Sequence, residues 1–223
     1  MCIRLYLGAV AVLYKDDTGW VPIEEFQRYV ALPESGAAID TSVPHDINAE
    51  TLRDAQPFAN ECGPAFARFI VRNAGTRHTI VVGHNAKRYD HRLLVFHGWN
   101  PPNVPSQAGL RFADSLDWLR VAHANLPSYS IKVREFSARF PPPPSPNSRL
   151  FVFFERAQNL FASFFKEPVP AAHSAVPDCY ALIRLLNHGE RVQPLAAASV
   201  CERWANIRGR CLKKTGQRNK SFK

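Results

Sequence analysis

Ile80-Val81-Val82-Gly83-His84-Asn85-Ala86-Lys87-Arg88-Tyr89-Asp90-His91-Arg92-Leu93-Leu94 is the stretch on which the fold turns. An apolar, β-branched run gives way to a polar segment, and helical spacing resumes with Leu93 and Leu94. That order reads as a buried strand, a polar turn at its carboxyl end, and a helix. In open α/β sheets, ligand sites lie just outside the carboxyl ends of strands. His84, Asn85 and Asp90 therefore stand where chemistry is commonly placed. The plain alternative is an ordinary strand-to-helix connection with polar caps.

Upstream of this stretch, Leu5–Tyr14 and Phe26–Leu32 flank the turn signal Lys15-Asp16-Asp17-Thr18-Gly19 and predict a β-hairpin. Residues 33–48 read as loop, Asn48–Thr51 as the start of a short helix, and Gly63–Asn73 as a helix with Phe66, Phe69 and Ile70 on one stripe. Thr79–Gly83 is the next strand and Tyr89–His97 the next helix. After a loop over 99–109, Leu110–Ala113 is a short strand ending at Asp114-Ser115, and Leu116–Ala124 a helix. Pro127–Ile131 leads into a helix over Lys132–Arg139, which Pro141–Pro144 must end, leaving a stiff exposed spacer. Phe151–Phe165 and Ser174–Asn187 predict two further helices, the second with Leu182, Leu185 and Leu186 inward. Early strands followed by alternating strand and helix indicate an α/β fold, a mixed sheet of about four or five strands flanked by helices.

The chain has 223 residues, of which 46% are apolar and 21% charged, so it is globular and long enough to bury a substantial core. Its formal charge is +9, but residues 203–223 hold eight Lys or Arg and no acid, which leaves the rest near neutrality. A terminal segment over 191–223 reads either as a basic surface for a polyanion (nucleic acid or an anionic membrane) or as a solvated tail or localisation signal. Cys2, Cys62, Cys179, Cys201 and Cys211 form no C-x-x-C pair. That scatter argues against a zinc module and for a reduced intracellular protein, cytoplasmic or nuclear. Arg4 followed by Leu5–Tyr14 has the look of a signal peptide, but it lacks a small-x-small cleavage site and is too short to span a bilayer. A strand is the better reading, and no membrane partner is expected.

Two constellations of acid and imidazole stand at the starts of elements. One is His84-Asn85 with Asp90, and the other is His173-Ser-Ala-Val-Pro-Asp178, with His173 at a helix mouth and Asp178 one to two turns in. An Asp that ligates a divalent cation beside a His that deprotonates water makes a hydrolytic pair. Taken singly, His173 reads as a substitute N-cap and Asp178 as a first-turn charge favoured by the helix dipole.

The segments His84-Asn85-x-x-Arg88-Tyr89-Asp90-x-x-Leu93-Leu94, Phe112-Ala113-Asp114-Ser115-Leu116, Pro127–Ile131 and His173-Ser174-Ala175-x-x-Asp178-x-x-Ala181-Leu182 together resemble the TREX-type branch of the DEDDh 3′–5′ exonucleases, in the DnaQ/RNase T superfamily. The resemblance covers roughly residues 3–190 and implies an exonuclease-like domain over 1–190, with 140–157 as a proline-rich insertion. It implies a ribonuclease H-like fold and hydrolysis at DNA 3′ ends with two Mg²⁺ or Mn²⁺ ions. By it Asp90 and Asp178 are metal ligands and catalytic residues, and His173 is the general base. The nucleic-acid contacts expected are His84, Asn85, Arg88 and Tyr89, with Lys213 and Lys214 from the basic segment. Single-stranded DNA or DNA 3′ ends would be the partner, and a homodimer is open because TREX-type enzymes form one.

The family's first motif, a D-x-E pair at the end of the first and central strand, would fall just before the segment matching Ile3–Tyr14. Asp16 with Asp17 and Glu24 with Glu25 lie in the wrong part of the hairpin to replace it. The chain is therefore expected either to be a piece, or a late-start reading, of an active nuclease, or to be a degenerate homologue that binds without cutting. The intact second and third motifs favour the former. Either way, hydrolysis should be strongly reduced, and the strands matching Leu5–Tyr14 and Thr79–Gly83 should each lack a neighbour.

Overall fold

A computed structural model describes residues 6–31, 47, 50–74, 79–105, 109–122, 161–162, 164–168, 175–188 and 201–220. The expectations for Pro127–Ile131, 132–139, the 140–157 insertion and His173 lie outside these residues.

Strands β1 (Tyr6–Lys15) and β2 (Gly19–Tyr29) form the hairpin, antiparallel from Tyr6 opposite Tyr29 to Lys15 opposite Gly19. Gly19 holds φ 80°, the left-handed value that a three-residue connection needs before its second strand and that glycine adopts without penalty. The second strand begins at Gly19 rather than Phe26 as expected, and Pro22 explains the difference. The register shifts between Ala11 and Val12, which face Glu24 and Pro22, so Ile23 is an extra residue at a bulge. A bulge on an outer strand is where a proline without an N–H is tolerated.

Helix α1 (Cys62–Asn73) buries Phe66, Phe69 and Ile70 against Phe26 of β2, as its stripe predicts. Strand β3 (Thr79–Gly83) is followed by α2 (Asp90–Phe96), and β4 (Leu110–Asp114) by α3 (Ser115–Ala122). The two strands pair in parallel, from Thr79 beside Leu110 to Gly83 beside Asp114, so their carboxyl ends are level. Helix α4 (Ala175–Leu186) lies along the hairpin, with Ala175 against Gly8 and Asn187 beyond its end against Trp20. Asn187 accepts from Trp20 N and donates to Trp20 O, standing in for one residue of a neighbouring strand. Of the short helix expected to start at Asn48–Thr51, the described part from Glu50 on makes single turns, closed by Arg53 N to Glu50 O and Ala55 N to Leu52 O.

The described residues form an α/β fold, as expected, with a gap where β1 and β3 are each expected to lack a neighbour, but they do not form one sheet of four or five strands. The described residues hold four strands in two two-stranded sheets, β1–β2 and β3–β4, and no strand joins β1 to β3. What unites them is side-chain packing. Leu7, Ala9 and Ala11 of β1, Val81 of β3 and Phe112 of β4 meet one apolar cluster with α1 and α2. Ile80 and Val82, Ala113 and Trp20 meet a second cluster with Trp118, Leu119 and Leu186. Alternate residues of β3 and β4 thus serve opposite faces, as period-two strands buried on both sides must.

Of the segment expected as a basic tail over 191–223, the described residues 201–220 are anchored to the core. Helix α5 (Trp204–Lys220) buries Trp204, Ile207 and Cys211 among Trp99 and Phe112. Just before it, Glu202 bridges Phe112 in antiparallel fashion through N–H···O bonds of 2.8 and 3.0 Å, covering the second edge of β4. The spacing 204, 207, 211 is a helical stripe, which is why a charged segment can still be anchored.

Candidate functional site at the ends of the parallel strands

The level carboxyl ends of β3 and β4 put Gly83 and Asp114 side by side, and the segment 84–89 turns directly above them into α2. Asn85 takes φ 56°, a left-handed conformation that asparagine tolerates better than most residues. The turn is closed by Arg88 N and Tyr89 N, both donating to Asn85 O, and by His91 N donating to Ala86 O. Asp90 is then the first residue of α2. A side chain at Gly83 would come 3.3 Å from Asp90 Oδ2 and 2.9 Å from Ala86 Cβ, so the glycine makes room for the carboxylate and the turn.

Asp114 holds this turn from below. It is 3% exposed, its Oδ2 accepts from Lys87 N at 3.1 Å, and its Oδ1 accepts from Leu116 N at 3.0 Å. Burial raises its carboxyl above the usual range, with Asp117 adding to the rise, against the lowering effect of the N–H groups of Lys87, Leu116 and Asn85. Lys87 also reaches Asp117 at 2.7 Å and Glu202 at 3.0 Å, and Glu202 pairs with Arg210 at 2.5 Å. Burial alone would lower Lys87, but its two carboxylate partners outweigh it and raise the ammonium. Burial alone would raise Glu202, but Arg210 and Lys87 bring it down. The β3–α2 turn is therefore tied to α3 and to α5.

His84 is half-buried as a residue, and its Nδ1 shares a 2.9 Å hydrogen bond with the fully buried Ser115 Oγ. Its Nε2 is buried without a hydrogen-bond partner. Burial lowers the ring to about 4, against the opposing pull of Asp90, so it is neutral at ordinary pH. Asn85, Tyr89 and Asp90 are half-buried, whereas Arg88 is exposed. Asp178 is half-buried in the first turn of α4, and Lys213 is exposed on α5. Lys214 lies on α5, with its side chain outside the description, and His173 is outside it altogether.

The structure thus gathers His84, Asn85 and Asp90 at one strand end, as the spacing predicts. Among the described residues no group of three or more His, Cys, Asp or Glu side chains assembles to hold a metal ion. Two carboxylates, Asp90 and Asp178, do not complete a cage for Mg²⁺, an ion that takes near-octahedral oxygen ligation. Sequence reasoning missed the roles of Lys87, Asp114, Asp117, Glu202 and Arg210. Asp114 had a signal, an acid at the end of an apolar strand; Glu202 had none beyond heading a basic run.

No protein-family model matches the chain, and no curated protein sequence matches it. No helix among the described residues is long and apolar enough to cross a membrane.

Proposed function

We propose that this is an exonuclease-like protein of ribonuclease H-like architecture that engages the 3′ ends of DNA. In this reading Asp90 and Asp178 are the carboxylates for Mg²⁺ or Mn²⁺, which would activate water and stabilise charge at the scissile phosphate. His173 is the base that takes the water's proton, and His84, Asn85, Arg88 and Tyr89 line the approach of the strand. The observation that carries the reading is the position of Asp90: a carboxylate above Gly83 at the level ends of two parallel strands, on a turn fixed from below by buried Asp114. Strand ends of this kind are where α/β proteins place ligands.

Two carboxylates bind such ions weakly, so hydrolysis by these 223 residues is slow. A second reading, a non-catalytic nucleic-acid-binding homologue, is favoured by the lack of a three-donor group among the described residues. The discriminating experiment is a trimming assay on end-labelled single-stranded DNA with Mn²⁺, using wild type, Asp90→Ala and Asp178→Ala, alongside binding in the absence of metal. Slow trimming lost in both variants supports the first reading. Binding without trimming in all three supports the second, and neither binding nor trimming overturns both.

A further inference from the structure

The outer side of the β3–α2 turn and of α2 carries a regular exposed stripe. Arg88, Arg92 and Phe96 recur every four residues and are exposed, while His91 and Leu94 face the core. Arg92 and Phe96 are one turn apart on α2, about 6 Å, and Arg88 stands on the turn just before the helix. Phe96 is 64% exposed, the most exposed large apolar side chain among the described residues. Its ring meets His97 edge to face at 5.4 Å, and His97 in turn stacks on buried Phe58 at 4.7 Å. The ring is therefore backed at one side by a fixed aromatic pair while most of it stays in water. Helix α5, with exposed Arg208 and Lys213 and with exposed Arg203 just before it, packs beside α2.

We infer that the Arg88–Arg92–Phe96 stripe is a binding track for single-stranded nucleic acid on the outer face of the turn and helix that carry Asp90. The inference rests on the functional reading above. Cations that follow a phosphate backbone, together with an aromatic face on which a base stacks, are what sequence-tolerant single-strand binding requires. Charge complementarity selects this occupant: two guanidiniums precede the ring, and the neighbouring helix adds further positive charge. A bilayer would need a broad apolar face, and here one aromatic stands alone beside two charges. An acidic protein would satisfy the arginines but has no general use for a flat ring.

The test is fluorescence anisotropy of the whole chain with labelled oligo(dT) and with an abasic oligonucleotide of equal length, in EDTA so that binding is read apart from hydrolysis. Phe96→Ala should weaken oligo(dT) binding by about 5- to 100-fold and leave abasic binding unchanged, with Phe96→Trp restoring it. Arg92→Gln should weaken both and reduce the slope of log K against log salt by about one. Circular dichroism should show all variants folded, as expected for exposed positions. Wild type that binds oligo(dT) while Phe96→Ala and Arg92→Gln bind equally well overturns the track and leaves the functional reading standing. Wild type that binds neither oligonucleotide overturns both.

Discussion

Burial holds His84 neutral, with its ring lowered to about 4, whereas the same ring in the unfolded chain titrates near 6.5. As acidity rises, the unfolded chain takes up the proton first. The stability this neutral ring contributes is complete above pH 6.5, falls as pH drops, and is lost below about 4. Urea unfolding at pH 7 and pH 4.5 should show wild type losing about 2–3 kcal/mol more than His84→Gln; equal losses would mean the ring is not buried in solution. Asp114 runs the other way. Burial raises its carboxyl, so its contribution is present at low pH and declines as pH rises through the raised value. Asp114→Asn keeps the size but turns one acceptor into a donor against a backbone N–H. It should cost about 1–3 kcal/mol at neutral pH by urea unfolding. It should also loosen the turn that carries Asp90, visible as faster amide exchange at Lys87.

Among the elements, α4 and α5 are the most informative. A side chain at Gly8 would collide with Ala175 Cβ and crowd the backbone at Ala175 and Val176, so Gly8→Val should push α4 off the hairpin. A loss of about 1–3 kcal/mol in thermal or urea unfolding is expected. Ile207 is fully buried on α5, and Ile207→Ala should cost about 2–5 kcal/mol. Deleting 203–223 would therefore unfold the core instead of stripping charge, and Lys213→Glu is the cleaner probe of the basic surface. The sequence announced most elements from residue 62 to 122, and α4, because their apolar periods are strong. It hid the start of β2 behind Pro22, and it hid α5 because three anchoring residues are diluted in a basic run. At the site, strand-end logic found His84, Asn85 and Asp90. It could not find the partnership of Lys87 with Glu202, since an ion pair between distant segments leaves no local pattern. Nor could it assign Asp114, whose work is done on backbone N–H groups that every residue carries.

At the scale of the molecule, each sheet has one hydrogen-bonded pair, and β1 and β3 have no second partner strand among the described residues. Amides of these strands that face the open edges should exchange on the order of tenfold faster than those inside the two ladders, as hydrogen-exchange NMR would show. Equal protection would mean that the edges are covered in solution. The apolar clusters shared by the two sheets supply cohesion without direction, whereas a ladder would resist sliding. The boundary between hairpin and parallel pair is thus a mechanical seam. Pulled from its ends, as by an unfolding motor, the protein should yield there first at low force. The hairpin with α4 would come away as one piece, and the Glu202–Phe112 bridge would keep α5 clamped to the other.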